Sequence, residues 1–170
     1  TEAVGGLTIN GVGAGPTGLD QVEFLWSANR GESLKGLNKT ASGGELSRLM
    51  LAVKHVLCSH DLVSLYVFDE VDTGLGGKAA DSIGRKIQAV AQGHQAITIT
   101  HLASIASRAD QHLYVSKQTT EDGRTVSSLT PIEKEERVKE LARMIDGSTE
   151  GDATLKAAAQ MLERARLAAA

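Results

Sequence analysis

One run constrains this chain more than any other: Leu62-Val-Ser-Leu-Tyr-Val-Phe68, seven residues without a charge, followed at once by Asp69 and Glu70. Such a run, rich in Val, Leu and aromatics, predicts a strand buried on both faces, the habit of a central parallel strand in an α/β sheet. Ligands of open α/β sheets gather beyond the carboxyl ends of the strands, so Asp69 and Glu70 stand where a substrate can reach them. Adjacent side chains on a strand point to opposite sides. One carboxylate can then face a metal and the other a water. Taken alone, the run fits a plain strand with a polar end equally well.

The rest of the composition sets loose bounds. With 170 residues, 41% hydrophobic and 23% charged, the chain has the make-up of one globular domain with a real core. No run approaches the length of a membrane-spanning helix, and the first residues have neither the basic start nor the apolar stretch of a signal peptide. A cytoplasmic setting without membrane contact is the expectation. The single Cys58 agrees with it, since it has no internal disulfide partner. Thr1 in place of Met fits either processing or a fragment. A net charge of −3 argues against a chain that coats nucleic acid over its whole surface.

Residues 1–19 are Gly-rich and nearly uncharged, without a sustained period of 2 or 3.6, and read as a loop or linker. Gly13-Ala-Gly-Pro-Thr-Gly18 has the glycine spacing of a dinucleotide fingerprint, but no strand precedes it, Pro16 lies within it and a strand follows it. The same glycines resemble a phosphate loop with Leu19 where lysine is needed, so the chain contains no complete P-loop. Val22, Phe24 and Trp26 alternate as a half-buried strand, and Asn29 to Lys39 is a polar loop carrying Arg30, Lys35 and Lys39.

The next stretch is Thr40-Ala-Ser-Gly-Gly-Glu-Leu-Ser-Arg48. Leu46, Leu49, Met50, Val53 and Leu57, with Val56 beside them, follow the spacing of one helix face, which predicts a helix from about Gly43. Ser42 is its N-cap and Glu45, three residues on, completes a capping box. Two glycines in a first turn cost about 1 kcal/mol each relative to alanine, and a structural cap does not need them. Paired glycines let another group approach the exposed N–H donors, as phosphate-binding helix starts do.

Beyond the central strand, Val71 to Gly77 is a turn-rich loop and Lys78 to Ala91 is helical through Ala79, Ile83, Ile87 and Val90. Gln95 to Thr100 is a β-branched strand with His101 at its end, on the same edge as Asp69 and Glu70 if the two strands are parallel. His55, His60, His94 and His112 show no metal-ligand spacing with Cys58. Gln111–Ser116 and Arg124–Thr130 predict a hairpin turning at Asp122-Gly123. Two helices follow. Glu133–Ile145 buries Val138, Leu141, Ala142 and Ile145 and spaces Glu133 to Arg137 and Glu135 to Lys139 for ion pairs. Ala153–Ala168 runs through Leu155, Ala159 and Leu162.

Three motifs thus stand in order, and together they resemble a family. Ala41-Ser-Gly-Gly-Glu-Leu-Ser-Arg48 is similar to the signature motif of ATP-binding-cassette (ABC) ATPases, Val67-Phe-Asp-Glu70 to their Walker B, and Thr100-His101 to their switch histidine. The segment from Phe68 to Gly77, with Ile99-Thr-His-Leu102 and Glu135 to Met144, narrows the resemblance to the RecN family of bacterial DNA-repair proteins, relatives of the structural-maintenance-of-chromosomes (SMC) ATPases.

The resemblance implies the C-terminal half of an ABC/SMC-like ATPase head over residues 20–170: a largely parallel α/β sheet flanked by helices, with an edge hairpin and two C-terminal helices. The partner it implies first is an N-terminal half carrying Walker A, without which the chain alone would be inactive. It further implies Mg²⁺-dependent ATP hydrolysis, a second head in an ATP-dependent homodimer, and a nucleoid-associated role in recombinational repair of DNA double-strand breaks. DNA contact is implied by the family alone, and the acidic balance puts any basic surface largely outside this chain.

By the same resemblance Asp69 would hold Mg²⁺ through water, Glu70 would act as general base and His101 would contact the γ-phosphate. Ser42, Gly43, Gly44 and Glu45 would bind the ATP of the second head, with Asp72, Thr73 and Gly74 at that interface. Gly76 stands where many related ATPases carry the D-loop aspartate, which leaves Asp72 as the substitute candidate. The rival readings are the ATPase subunit of another ABC-type protein, such as a transporter, and a non-catalytic dimerisation or DNA-clamping module. Val71-Asp-Thr-Gly74 after the glutamate departs from the transporter pattern, and retention of Glu70 favours catalysis over the scaffold.

Overall fold

The computed structural model describes residues 8–9, 12–13, 18, 23–27, 31–36, 42–57, 62–149 and 151–168. The chain divides into two units, Thr1–Ala41 and Ser42–Ala170. In the first, β1 (Thr8–Ile9) pairs antiparallel with β2 (Val12–Gly13), so the stretch expected to be loop contains a short ladder. β3 (Leu25–Trp26) pairs antiparallel with β4 (Lys35–Gly36). Of the strand expected from Val22, only this end is seen: Val22 lies outside the described residues, and Phe24, expected on the buried face, is exposed. Arg30, Lys39, Cys58 and His60 also lie outside the described residues.

The second unit runs α1 (Gly43–Leu57), β5 (Leu65–Phe68), α2 (Gly77–Ala91), β6 (Gln95–Thr98), α3 (Ala103–Ala106), β7 (His112–Thr119), β8 (Thr125–Ile132), α4 (Lys134–Asp146) and α5 (Asp152–Leu167). The strand–helix–strand order predicted from the sequence is present, and β5 and β6 pair in parallel from Leu65 opposite Gln95 to Phe68 opposite Thr98. The mixed α/β character, the hairpin and the two closing helices are as expected, with the parallel pairing confined to these two strands among the described residues. Both strands stop short of their expected lengths, β6 at Thr98 instead of Thr100.

The core is one-sided. Tyr66 and Phe68 of β5 are buried with Leu51, Val71, Ile87, Val90 and Ile105, whereas Leu65 and Val67 point the other way and Val67 is 60% exposed. The strand expected to be buried on both faces is therefore well covered on one only, since Leu65 and Val67 stay exposed on the other beside Ile97 and Ile99. Helix α1 departs from expectation in the same manner. Its buried residues are Gly44 and Leu51, while Leu46, Met50, Val53 and Leu57 of the expected core face are exposed.

Helices α4 and α5 pack through a second cluster of Leu141, Ala142 and Ala158 with Ala103 and Ala106 of α3. Ala158, not the expected Ala159, makes the close contact, and Ile145 stays exposed. Helix α4 ends at Gly147, whose φ of 82° is the left-handed cap that glycine adopts without strain. The Asp146 carboxylate then accepts from Ser148 N–H and the Thr154 hydroxyl, tying the end of α4 to the start of α5. Arg137 does not pair with Glu133, and no ion pair joins Glu135 to Lys139; Arg137 donates instead to the carbonyls of Ala106, Ser107 and Ala109 at the end of α3. A charged guanidinium satisfying orphan helix-end carbonyls does more for stability than an exposed i,i+4 pair. Arg108 donates to Asp81 at 2.6 Å and to Gln88 at 3.3 Å, fastening α3 to α2, and this hydrogen bond holds the Asp81 carboxyl below the usual carboxylate range.

The hairpin is longer than the sequence suggested, from His112 opposite Ile132 to Thr119 opposite Thr125, with Gly123 at φ 77° in the turn. His112, at its base, has a buried Nδ1 without a hydrogen-bond partner. Burial, and then the neighbouring Arg137 charge, push its pKa below the ordinary value of 6.5. The unfolded chain therefore takes up a proton that the folded chain refuses, so the stability His112 contributes is complete above that value and is lost as pH falls through the lowered one. Urea midpoints measured from neutral to mildly acid pH are expected to decline less in His112→Phe than in the wild type, and equal declines would refute this origin.

Candidate functional site

The site begins where the parallel ladder ends. Ile99 N–H donates to Phe68 C=O at 3.0 Å, one step past the last strand pair, so Asp69-Glu70 and Thr100-His101 leave the sheet at the same edge. Asp69 is exposed and accepts the Glu70 N–H on Oδ1 at 2.9 Å. Glu70 has φ 58°, a left-handed conformation costing roughly 1–2 kcal/mol in a residue with a Cβ. Two tight turns follow, Thr73 N–H to Glu70 C=O at 3.2 Å and Leu75 N–H to Asp72 C=O at 3.0 Å.

Two contacts hold this loop. From α1, the Arg48 guanidinium donates to the Thr73 carbonyl at 2.9 Å and reaches that of Val71 at 3.5 Å. From the other side, Asp72 turns its carboxylate inward, 4% exposed. Its Oδ2 accepts the Thr100 hydroxyl at 2.6 Å and the His101 N–H at 3.0 Å, and lies 3.1 Å from His101 Nδ1. The imidazole itself remains open to solvent, its side chain 72% exposed.

The start of α1 forms the capping box expected from the sequence: Ser42 N–H donates to Glu45 Oε2 at 3.0 Å and Glu45 N–H to Ser42 Oγ at 3.4 Å. The paired glycines have a visible local reason. A Cβ on Gly43 would collide with Glu70 Oε2, and one on Gly44 would stand 3.0 Å from the Glu70 carbonyl, from Thr73 Cβ and from Arg48 Nη1. The Glu70 carboxylate thus rests against the positive end of α1, the place where a helix favours an anion.

Of the residues singled out in the sequence, Glu70 and Thr73 meet Gly43 and Gly44, while Asp72 meets His101. Gly74, at φ 72°, shapes the exposed turn, and a Cβ added there would meet open space. Sequence reasoning missed the parts of Arg48 and Thr100. Arg48 lies one turn along α1 from Gly44, and Thr100 precedes the histidine, so the helical repeat and the strand end were the available signals. Among the described residues no three His, Cys, Asp or Glu side chains gather as a ligand cluster. A single exposed carboxylate with one oxygen uncommitted, Asp69, fits a hard cation that keeps most of its waters and binds substrate phosphates.

The arrangement is that of an α/β protein that gathers carboxylates and a histidine at the ends of parallel strands, beside a glycine-started helix. Sequence comparison gives the particular kin. The chain is 48% identical over 148 residues to the DNA repair protein RecN of Bacillus subtilis, 49% identical over 148 residues to that of Treponema pallidum and 45% identical over 169 residues to that of Streptomyces coelicolor. These matches cover 87%, 87% and 98% of the chain, and 26%, 26% and 29% of the respective relatives. The chain is thus similar to these RecN proteins, fits their C-terminal part and spans about a quarter of their length. No family model matches it.

Two solved structures resemble parts of it. One, described as "Structural biochemistry of ATP-driven dimerization and DNA stimulated activation of SMC ATPases", aligns at TM-score 0.43 and 23% identity over 80% of this chain and 68% of that one. The other, an SMC head domain from Thermotoga maritima, aligns at TM-score 0.42 and 29% identity over 61% and 37%.

The close packing of Gly44 supplies a test. Alanine there gains about 1 kcal/mol of helix propensity but forces a backbone carbonyl aside, an overpacking cost of about 1–3 kcal/mol. Gly44→Ala is expected to lower the unfolding free energy by about 1 kcal/mol, while Gly93→Ala, whose Cβ meets nothing within 4 Å, should change it by less than about 0.5 kcal/mol. Urea unfolding of both variants measures the difference, and a stabilised Gly44→Ala would contradict the packing described.

Proposed function

We propose that this chain is the C-terminal half of an ATP-hydrolysing, SMC-like head that acts in recombinational repair of DNA double-strand breaks. The reading rests on one juxtaposition: the parallel register of β5 and β6 delivers Asp69, Glu70 and His101 to one edge, in a chain whose relatives are DNA repair proteins. Glu70 is the general base for the attacking water. Its backbone is left-handed and its carboxylate lies against Gly43 at the start of α1. His101 faces the γ-phosphate region with an exposed ring held at Nδ1. Asp69 would hold a Mg²⁺ ion, which would supply neutralisation of charge on the phosphate oxygens.

The two uncovered apolar faces support an incomplete head. Val67, Ile97 and Ile99 on the sheet, with Leu46, Met50, Val53 and Leu57 on α1, are the surfaces an N-terminal, Walker A-bearing half would bury. Ser42, Gly43, Gly44 and Glu45 lie at a helix start that suits the phosphates of ATP held by a second head, with Thr73 and Gly74 exposed beside it. In this reading the ATP-bound homodimer acts on DNA in the cytoplasm, in association with the nucleoid. No described helix is long and apolar enough to cross a membrane.

Steady-state ATP hydrolysis is the test. The chain alone is expected to be inactive and the chain mixed with the Walker A segment active, with Glu70→Gln cutting turnover by about 100-fold or more while ATP-bound dimers persist. Turnover by the isolated chain, or an unaffected Glu70→Gln rate, would overturn the assignment. Ser42→Arg in the completed head is expected to abolish ATP-dependent dimers in sedimentation while leaving ATP binding intact. Normal dimers would count against a shared nucleotide.

A further inference from the structure

We infer that Asp72 is a positioning residue that fixes the tautomer and aim of His101, and that it acts within the chain instead of reaching across to a partner. The argument is one of donors and acceptors. A carboxylate oxygen offers only lone pairs, so a proton on the ring nitrogen 3.1 Å from Asp72 Oδ2 is favoured over a second lone pair there. The contact thus favours the Nδ1–H form of the neutral ring, which leaves the Nε2 lone pair open to solvent.

The backbone enforces the same geometry. Oδ2 also accepts the His101 N–H at 3.0 Å, so ring and main chain of one residue are gripped by one oxygen. The Thr100 hydroxyl donates to that oxygen at 2.6 Å and accepts the Leu102 N–H at 3.1 Å, closing the turn after β6. Asp72 is 4% exposed, so this oxygen is shielded from competing water, whereas the imidazole is open. A carboxylate that holds one ring nitrogen and frees the other is how proteins orient an imidazole for work at its far side.

The consequence concerns the proposed reaction and rests on that reading. A neutral His101 held in this way cannot donate from Nε2 to a phosphate oxygen; it accepts, from the attacking water or another hydroxyl. It becomes a donor there only as the imidazolium. Asp72 thereby decides which hydrogen bond the strand-end histidine offers to the substrate.

The tautomer can be read on this chain without nucleotide. Long-range proton–nitrogen correlation spectra in alkaline buffer, with the ring signals assigned through His101→Gln, are expected to show His101 chiefly as Nδ1–H. Asp72→Ala should move the tautomer ratio toward Nε2–H by about tenfold, and Asp72→Asn, which keeps an acceptor oxygen, should restore most of the original ratio. An Nε2–H ring in the wild type, or a ratio unmoved in Asp72→Ala, would overturn the inference. Should Asp72→Ala fail to fold, the wild-type and Asp72→Asn spectra decide it. In the completed head, Asp72→Ala should lower kcat about tenfold with KM for ATP changed by less than about twofold, and a raised KM with unchanged kcat would speak against positioning. An Nδ1–H ring in a head that does not hydrolyse ATP would sink the ATPase reading and leave this assignment standing.

Discussion

The Asp72 carboxylate is the interaction on which the strand-end site depends. Removing a carboxylate from water is costly unless its lone pairs are met, and here one oxygen meets a hydroxyl, a backbone N–H and a ring nitrogen. These partners come from the loop after β6, while Asp72 belongs to the loop after β5. Two connections that leave a sheet edge independently are thereby locked together. Removing any one partner would leave a buried charge short of a bond, which costs more than the bond itself contributes. Arg48 completes the grip from α1 through the carbonyls on either side of Asp72. The loop from Asp69 to Gly74 is consequently held by helix and strand together, and the left-handed Glu70 is tolerated because its neighbours determine its conformation.

That local order contrasts with the unfinished core around it. β5 alternates between buried Tyr66 and Phe68 and exposed Leu65 and Val67, and α1 turns most of its apolar residues outward. Natural soluble surfaces seldom leave contiguous apolar faces of strand and helix bare. Both faces belong to elements that support the site, β5 carrying Asp69 and Glu70 and α1 carrying the glycine start. Covering them would stiffen the same elements that position the chemistry. In the proposed head, completing the core and completing the site would be one event.

The elements were legible because their local signals agree with what tertiary packing demands. The capping box at Ser42 and Glu45, the hairpin turn at Asp122-Gly123 and the strand stop at Asp69 rest on backbone chemistry that neighbours do not alter. Which face of a helix is buried was not legible for α1. Leu46, Met50, Val53 and Leu57 have perfect helical spacing, yet a period identifies an apolar stripe and not what covers it. The expectation for the strand at 65–68 differs for the same reason, since an apolar run does not say what covers each of its faces. Asp72 was legible as a carboxylate in the loop after β5, but its inward direction was not. Its partners lie 28 and 29 positions away, beyond any periodic signal.

The paired glycines show how one feature can carry two explanations. From the sequence, their helix-propensity cost of about 2 kcal/mol together called for a group that must come close, and a phosphate satisfied that demand. In the structure the close group is the chain's own loop: the Glu70 carboxylate against Gly43, and the Glu70 carbonyl and Thr73 against Gly44. The two accounts share one physics, because a carboxylate and a phosphate are both anions favoured at a helix start. Gly44 is buried, so its glycine is fully explained by the loop that packs on it. Gly43 is exposed and touched by a single flexible side chain, which leaves room for an anion to replace the carboxylate there. Of the two glycines, Gly43 is the one the fold constrains less, because the group it admits is the end of a side chain that can move aside.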